Sequence, residues 1–151
     1  MQGPAGIEAY FNLTRASVSN QRAEDVVPQF LLIGLCEPPG PEKQAQFDEW
    51  FVNQHIEDTT HCPNFIRGRV YKLAGPHLDG VTVSNYISVY EVEAPSYAEA
   101  ERVLNAWQAN PNAWPGRKKH LETAARMDGM PLKVVGSGWY EQLKSYAGPK
   151  A

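Results

Sequence analysis

Aromatic positions recur at helical spacing through Phe47, Trp50 and Phe51, and residues three and four apart share one face of a helix. At roughly 100° per residue from Phe47, Phe51 falls at about 40°, His55 at about 80° and Asp58 at about 20°, so imidazole and carboxylate leave the aromatic side. The helix opens at Pro41, whose missing N–H the first turn would leave unpaired anyway. It stops before Pro63, because the residue preceding a proline is pushed out of the α region. Residues 29–37, QFLLIGLCE, form a continuous apolar run, the pattern of a strand covered on both faces.

Beyond the helix, residues 65–74 read as a strand, GPHLDG (75–80) as a turn-rich link and residues 82–93 as the antiparallel partner. In that partner Tyr86, Ser88 and Tyr90 point one way, and Ile87, Val89 and Glu91 the other. Arg67 and Arg69 are expected to share a face with Phe65 and Tyr71. Ser96 and Glu99 make a capping box, after which Tyr97, Ala100, Val103, Leu104 and Trp107 trace a buried stripe. Asn110-Pro111 ends that helix. A shorter one covers residues 117–126, and Pro131 introduces a last strand whose Gly136 and Gly138 predict a bulge or bend.

The order strand, helix, strand, strand, helix, strand is the ferredoxin-like βαββαβ plan of the α+β class, with two crossover helices on one face of an antiparallel sheet. Bulky residues on both sides of the strands call for a cover on the other face too. A second copy would supply it, two facing sheets closing into a barrel around an interior pocket, so a homodimer is expected. Residues 1–28 read as an extension rich in Gly and Pro, and residues 29–146 as one domain.

The 151 residues, 42% hydrophobic, suffice for one core. A formal charge of −3 argues against a nucleic-acid partner or an anionic membrane surface. The nearest basic run, Arg117, Lys118, Lys119 and His120, reads as a solvated helix face. With no apolar run of about 20 residues and no leader pattern, a cytoplasmic location is expected. Cys36 and Cys62 then read as reduced structural thiols, Cys62 being reactive only if His61 activates it.

His55, Asp58, His61 and Cys62 lie close enough in sequence to raise the question of zinc. Their spacing matches no zinc pattern, and Pro63 turns the loop away, so no metal is expected. Phosphate loops and the G-x-S-x-G elbow are absent from the sequence, and no cofactor is expected. His55 itself can exchange a proton near neutral pH, with Asp58 orienting its ring; equally, it can be a histidine hydrogen-bonded to structure. Tyr71, Tyr86 and Tyr90 can donate to a carbonyl or enolate oxygen or simply pack, and Arg69 can bind an anion or pair with Glu91.

Trp50, His55 and Asp58, followed by Pro63-Asn64-Phe65, Arg69-Val70-Tyr71, the run from Tyr86 to Glu91 and Tyr140-Glu141, resemble the dimeric α+β barrel superfamily. The pattern is similar in particular to its EthD-like and stress-responsive-barrel members. The resemblance implies a pocket-facing His55. Taken with the chemistry of the residues, Asp58 and Tyr71 are expected to assist it, with Trp50, Phe51, Arg69, Tyr86, Tyr90 and Trp107 around a small hydrophobic, aromatic or polyketide-like molecule. Three classes stay open: a cofactor-independent lyase, cyclase or isomerase, a cofactor-free monooxygenase, and a non-catalytic ligand-binding or accessory protein.

Overall fold

A computed structural model describes residues 29–78, 84–127 and 133–150. The expected N-terminal extension and part of the link after the second strand lie outside the described residues. Strand β1 is Phe30–Glu37, β2 Phe65–Lys72, β3 Tyr86–Val92 and β4 Lys133–Glu141. Between β1 and β2 runs a continuous helical segment, α1, over residues 41–60. Helix α2 is Tyr97–Ala109, and α3 is Pro115–Arg126.

The sheet order is β2-β3-β1-β4, and every neighbouring pair is antiparallel. This is the ferredoxin-like arrangement expected from the order of elements. Register slips by one residue opposite Leu35 and Cys36, with Val135 as the extra residue beside Gly136, where the glycines predicted it. A second shift, between Phe65 and Arg67, has a consequence for β2. It swings Phe65 into the core while Arg67, Arg69 and Tyr71 stay on the opposite face, so Phe65 does not share their face as strict alternation predicts.

Cross-strand partners put Leu32, Cys36, Tyr86, Ser88, Tyr90, Val92 and Trp139 on one side of the sheet. Phe47, Trp50, Phe51 and Ile56 of α1 and Ala100 and Leu104 of α2 pack against that side, joined by Ala124 and Met127. At β2 the last turn of α1 comes close: a Cβ on Gly68 would meet Thr60 Oγ1 at 2.0 Å. The other side carries Leu31, Ile33, Leu35, Ile87 and Val89, flanked by Arg67, Arg69 and Glu91. Both faces were expected to be covered. The helices' buried side chains cover only the first.

Helix α1 is not uniform. It opens as a 3₁₀ turn at Pro41–Lys43, continues as α-helix over Gln44–Trp50, widens into a π turn at Phe51–His55 and closes as α-helix over Ile56–Thr60. The Ile56 N–H reaches back five residues to Phe51 O, which lets Trp50 as well as Phe51 meet the His55 ring. His55 therefore sits inside the helix and not at its end. After Pro63, Asn64 takes a left-handed conformation (φ 73°) that turns the chain into β2, a geometry asparagine tolerates better than most residues. Among the described residues, no helix is long and apolar enough to cross a membrane.

Candidate functional site

A cavity of about 320 Å³ lies between the sheet and the helices, walled by Leu32, Cys36, Leu104 and Val134. His55 and Thr59 enter it from α1, Ser88 and Tyr90 from β3, and Gln108 from the end of α2. The size falls at the small end of ligand sites, and a few polar groups in an apolar wall is the usual ligand-site chemistry. It is a half-open cleft formed by one chain, on the helix side of the sheet. The pocket expected between two facing sheets is thus not where His55 lies.

Behind the cavity stands a connected polar cluster. Asp58, 2% exposed, accepts from Trp114 Nε1–H at 2.7 Å through Oδ1 and from Arg117 Nη1–H at 2.5 Å through Oδ2. Arg117 also donates to carbonyls around the end of α2, through Nη2 to Gln108 O at 2.8 Å and through Nε to Asn110 O at 2.9 Å. Its guanidinium lies over the Trp107 ring at 5.6 Å. His120 Nδ1 is 3.3 Å from Asp58 Oδ2, close but not aligned as a hydrogen bond. His120 Nε2 meets His55 Nδ1 at 3.2 Å.

Asp58 was expected to touch His55 directly. Instead His120 stands between them, because Asp58 is drawn towards Arg117 and Trp114. Trp50 stacks on both imidazoles, at 4.7 Å from His55 and 5.3 Å from His120, and Phe51 backs His55 at 5.5 Å. The half-buried His55 ring is packed against Trp50, Phe51 and His120. Burial, with His120 and Arg117 adding to it, lowers its pKa to about 3. Burial also lowers that of His120, against the pull of the Asp58 carboxylate. Both rings are neutral at physiological pH.

The remaining expected residues divide between sites. Tyr90 lines the His55 cavity; its hydroxyl lies beside Thr59 and Ser88 without an aligned hydrogen bond, and burial raises its pKa. Tyr86 is on the same side of the sheet but at the far end, where its hydroxyl donates to Asp48 and accepts from Gln44. Trp107 is buried with Cys62 and Leu104 beneath Arg117, outside the cavity lining. Arg69 and Tyr71 require correction as partners of His55. Strand alternation sends them to the opposite face, where Arg69 pairs with Glu91 at 3.0 Å and Tyr71 is 51% exposed.

The histidine, aspartate and cysteine that raised the question of zinc are dispersed. His61 stacks flat on Trp114 at 3.7 Å and bonds Glu57 O through Nδ1, while Cys62 is buried in the other direction. Burial pushes the Cys62 thiol up to about 12 and the cavity-lining Cys36 thiol up to about 11, so both stay protonated at neutral pH. The basic run misled most. Lys118 and Lys119 are exposed, but Arg117 and His120 are 4% and 7% exposed. Their signal was positional: Ala113, Arg117, His120, Ala124 and Met127 follow the three-and-four spacing of a core-facing stripe.

No protein family matches the chain, and no curated protein matches it in sequence. Among solved structures, the fold is similar to that of HapK from Hahella chejuensis, with a TM-score of 0.50 and 15% identity over 79% of this chain and 98% of that one. An ethyl tert-butyl ether d (EthD) family protein from Bacillus halodurans aligns at 19% identity over 76% of this chain and 98% of that one. Its TM-score of 0.42 is too low to carry an argument. The fold and its cavity define an α+β protein of ferredoxin-like architecture, the architecture expected from the sequence resemblance. At these identities the likeness extends to the fold alone.

The lowered pKa of His55 has a sign that can be measured. An unfolded histidine binds its proton near 6.5, the folded one near about 3, so between these values the unfolded state holds the extra proton. Stability therefore falls as pH drops from about 6.5 towards 3, by up to about 1.4 kcal/mol per pH unit for His55, with His120 acting in the same direction. Urea midpoints of the wild type and His55→Gln should converge as pH falls, the variant having lost this penalty. A difference between them that stays constant across that range would contradict the buried neutral ring.

Proposed function

We propose that the cavity binds a small, largely apolar molecule and that His55 exchanges a proton with it without a bound cofactor, as a lyase, cyclase or isomerase does. The observation that carries this reading is a neutral imidazole on the wall of a cavity shared with the Tyr90 phenol and the Ser88 hydroxyl. The ring is unprotonated at working pH, so its first act is that of a base and not of an acid. Without a ligand it is a weak base, and the negative charge developing on the ligand must raise its proton affinity. Asp58 is already neutralised by Arg117, so the new imidazolium would have the negative charge developing on the ligand as its counter-ion. Tyr90 stands ready to donate to that developing oxygen anion. A tight ion pair of this kind favours returning the proton to the same molecule, which is the economy of isomerisation, cyclisation and elimination. Residues 29–146 are read as the domain that carries this activity.

The chemistry is tested with an aromatic enolisable ketone, 1-phenyl-2-propanone, by following exchange of its benzylic protons from heavy water by NMR. Wild-type protein should accelerate exchange, and His55→Ala should lower the acceleration by about 100- to 10,000-fold while the fold is kept. Binding with no His55-dependent exchange would point to a ligand carrier instead. Oxygen uptake with an oxidisable phenol would point to the monooxygenase reading.

The sheet face bearing Leu31, Ile33, Leu35, Ile87 and Val89 is read as the surface a second copy covers, giving a homodimer. A charge there should be expelled from such an interface. Sedimentation equilibrium at micromolar concentration should show a dimer for the wild type and a monomer for Ile33→Glu, whereas a monomeric wild type would remove the homodimer reading.

A further inference from the structure

We infer that His120 sets the tautomer of His55, so that His55 presents a bare Nε2 to the cavity and the ligand group opposite it must be a hydrogen donor, such as an enol or phenol O–H or an acidic C–H. This rests on the reading of the cavity as the ligand site. The argument runs outward from Asp58. Both of its oxygens are occupied by Trp114 and Arg117, and Oδ2 also faces His120 Nδ1 at 3.3 Å. That contact is not aligned as a hydrogen bond, but a lone pair on Nδ1 would still lie beside a carboxylate oxygen and be repelled where an N–H is attracted, so Nδ1 of His120 carries the proton. In a neutral imidazole the other nitrogen is then an acceptor.

That acceptor, His120 Nε2, is 3.2 Å from His55 Nδ1. Two lone pairs cannot face each other at this distance, so His55 donates through Nδ1–H. Its own Nε2 is left bare, and it has no protein hydrogen-bond partner among the described residues. This is the less common tautomer of a free imidazole, and a fixed partner on the other nitrogen is how proteins select it. Trp50 stacks on both rings, at 29° to His55 and 16° to His120, and holds the two imidazoles tilted by 34° to each other. His120 is thus a positioning residue. It is not among the residues that line the cavity, yet it decides whether His55 offers the ligand a lone pair or a proton.

Long-range proton–nitrogen NMR correlations on the ¹⁵N-labelled full chain at neutral pH report the tautomer of each histidine with no ligand present. His55 should carry its proton on Nδ1 in the wild type. H120Q, whose amide can accept from His55 and donate towards Asp58, should keep it there, while H120F, which fills the space but can do neither, should move most of it to Nε2. A wild-type His55 protonated on Nε2, or the same tautomer in wild type and H120F, would overturn the inference. If H120F does not fold, the wild-type tautomer alone decides. The spectrum needs no substrate, so failure of ketone exchange with the expected tautomer counts against the proton-transfer reading and leaves the role of His120 standing.

Discussion

A carboxylate taken out of water must find donors or lose its charge, and Asp58 finds them on elements far apart in sequence. Arg117 answers it from α3, Trp114 from the start of the same helix, and Arg117 in turn satisfies carbonyls around the end of α2. Gln108 O lies in the last turn of α2, the partly negative end of a helix, where a guanidinium is well placed. One buried side chain thereby ties α1 to α2 and α3. Such a pair adds little net stability over an apolar substitute, but removing one partner strands the other charge, at a cost of about 3–5 kcal/mol. The cluster fixes position more than it adds strength.

From that anchor the cavity wall follows. With Asp58 held by Arg117, His120 rather than Asp58 reaches His55, and the aromatic rings of Trp50 and Phe51 close the far sides of the pair. A direct Asp58 contact would have favoured a charged imidazolium. The interposed neutral ring, the nearby guanidinium and the surrounding protein all favour the uncharged one. The π turn contributes by rotating His55 so that it meets two aromatic neighbours and still opens to the cavity. Fold, packing and protonation state are in this sense one arrangement.

Much of the fold was legible because its signals are local. Pro41 and Pro63 bracket α1, Ser96 caps α2 with its hydroxyl accepting from the Glu99 N–H, and Gly136 marks a bulge. His55 stood out for the same reason, on a periodic aromatic face. What escaped depends on sequence-distant partners. No local pattern says that Arg117 is buried, since the same residue would be solvated if Asp58 were not beneath it, and two exposed lysines between Arg117 and His120 disguised the stripe. Arg69 and Tyr71 were grouped with His55 because a strand shows which residues share a face but not which face meets the helices.

The claim at the centre of this account is that His55 is an uncharged ring at the wall of a ligand cavity, held so by neighbours anchored on Asp58. An NMR pH titration of the His55 Cε1–H resonance tests it most directly. The account predicts a ring that is still neutral at about pH 5 and takes up its proton only towards about 3. A His55 that titrates near the ordinary histidine value of about 6.5 would show an imidazole governed by water or by a direct carboxylate partner, and would contradict it.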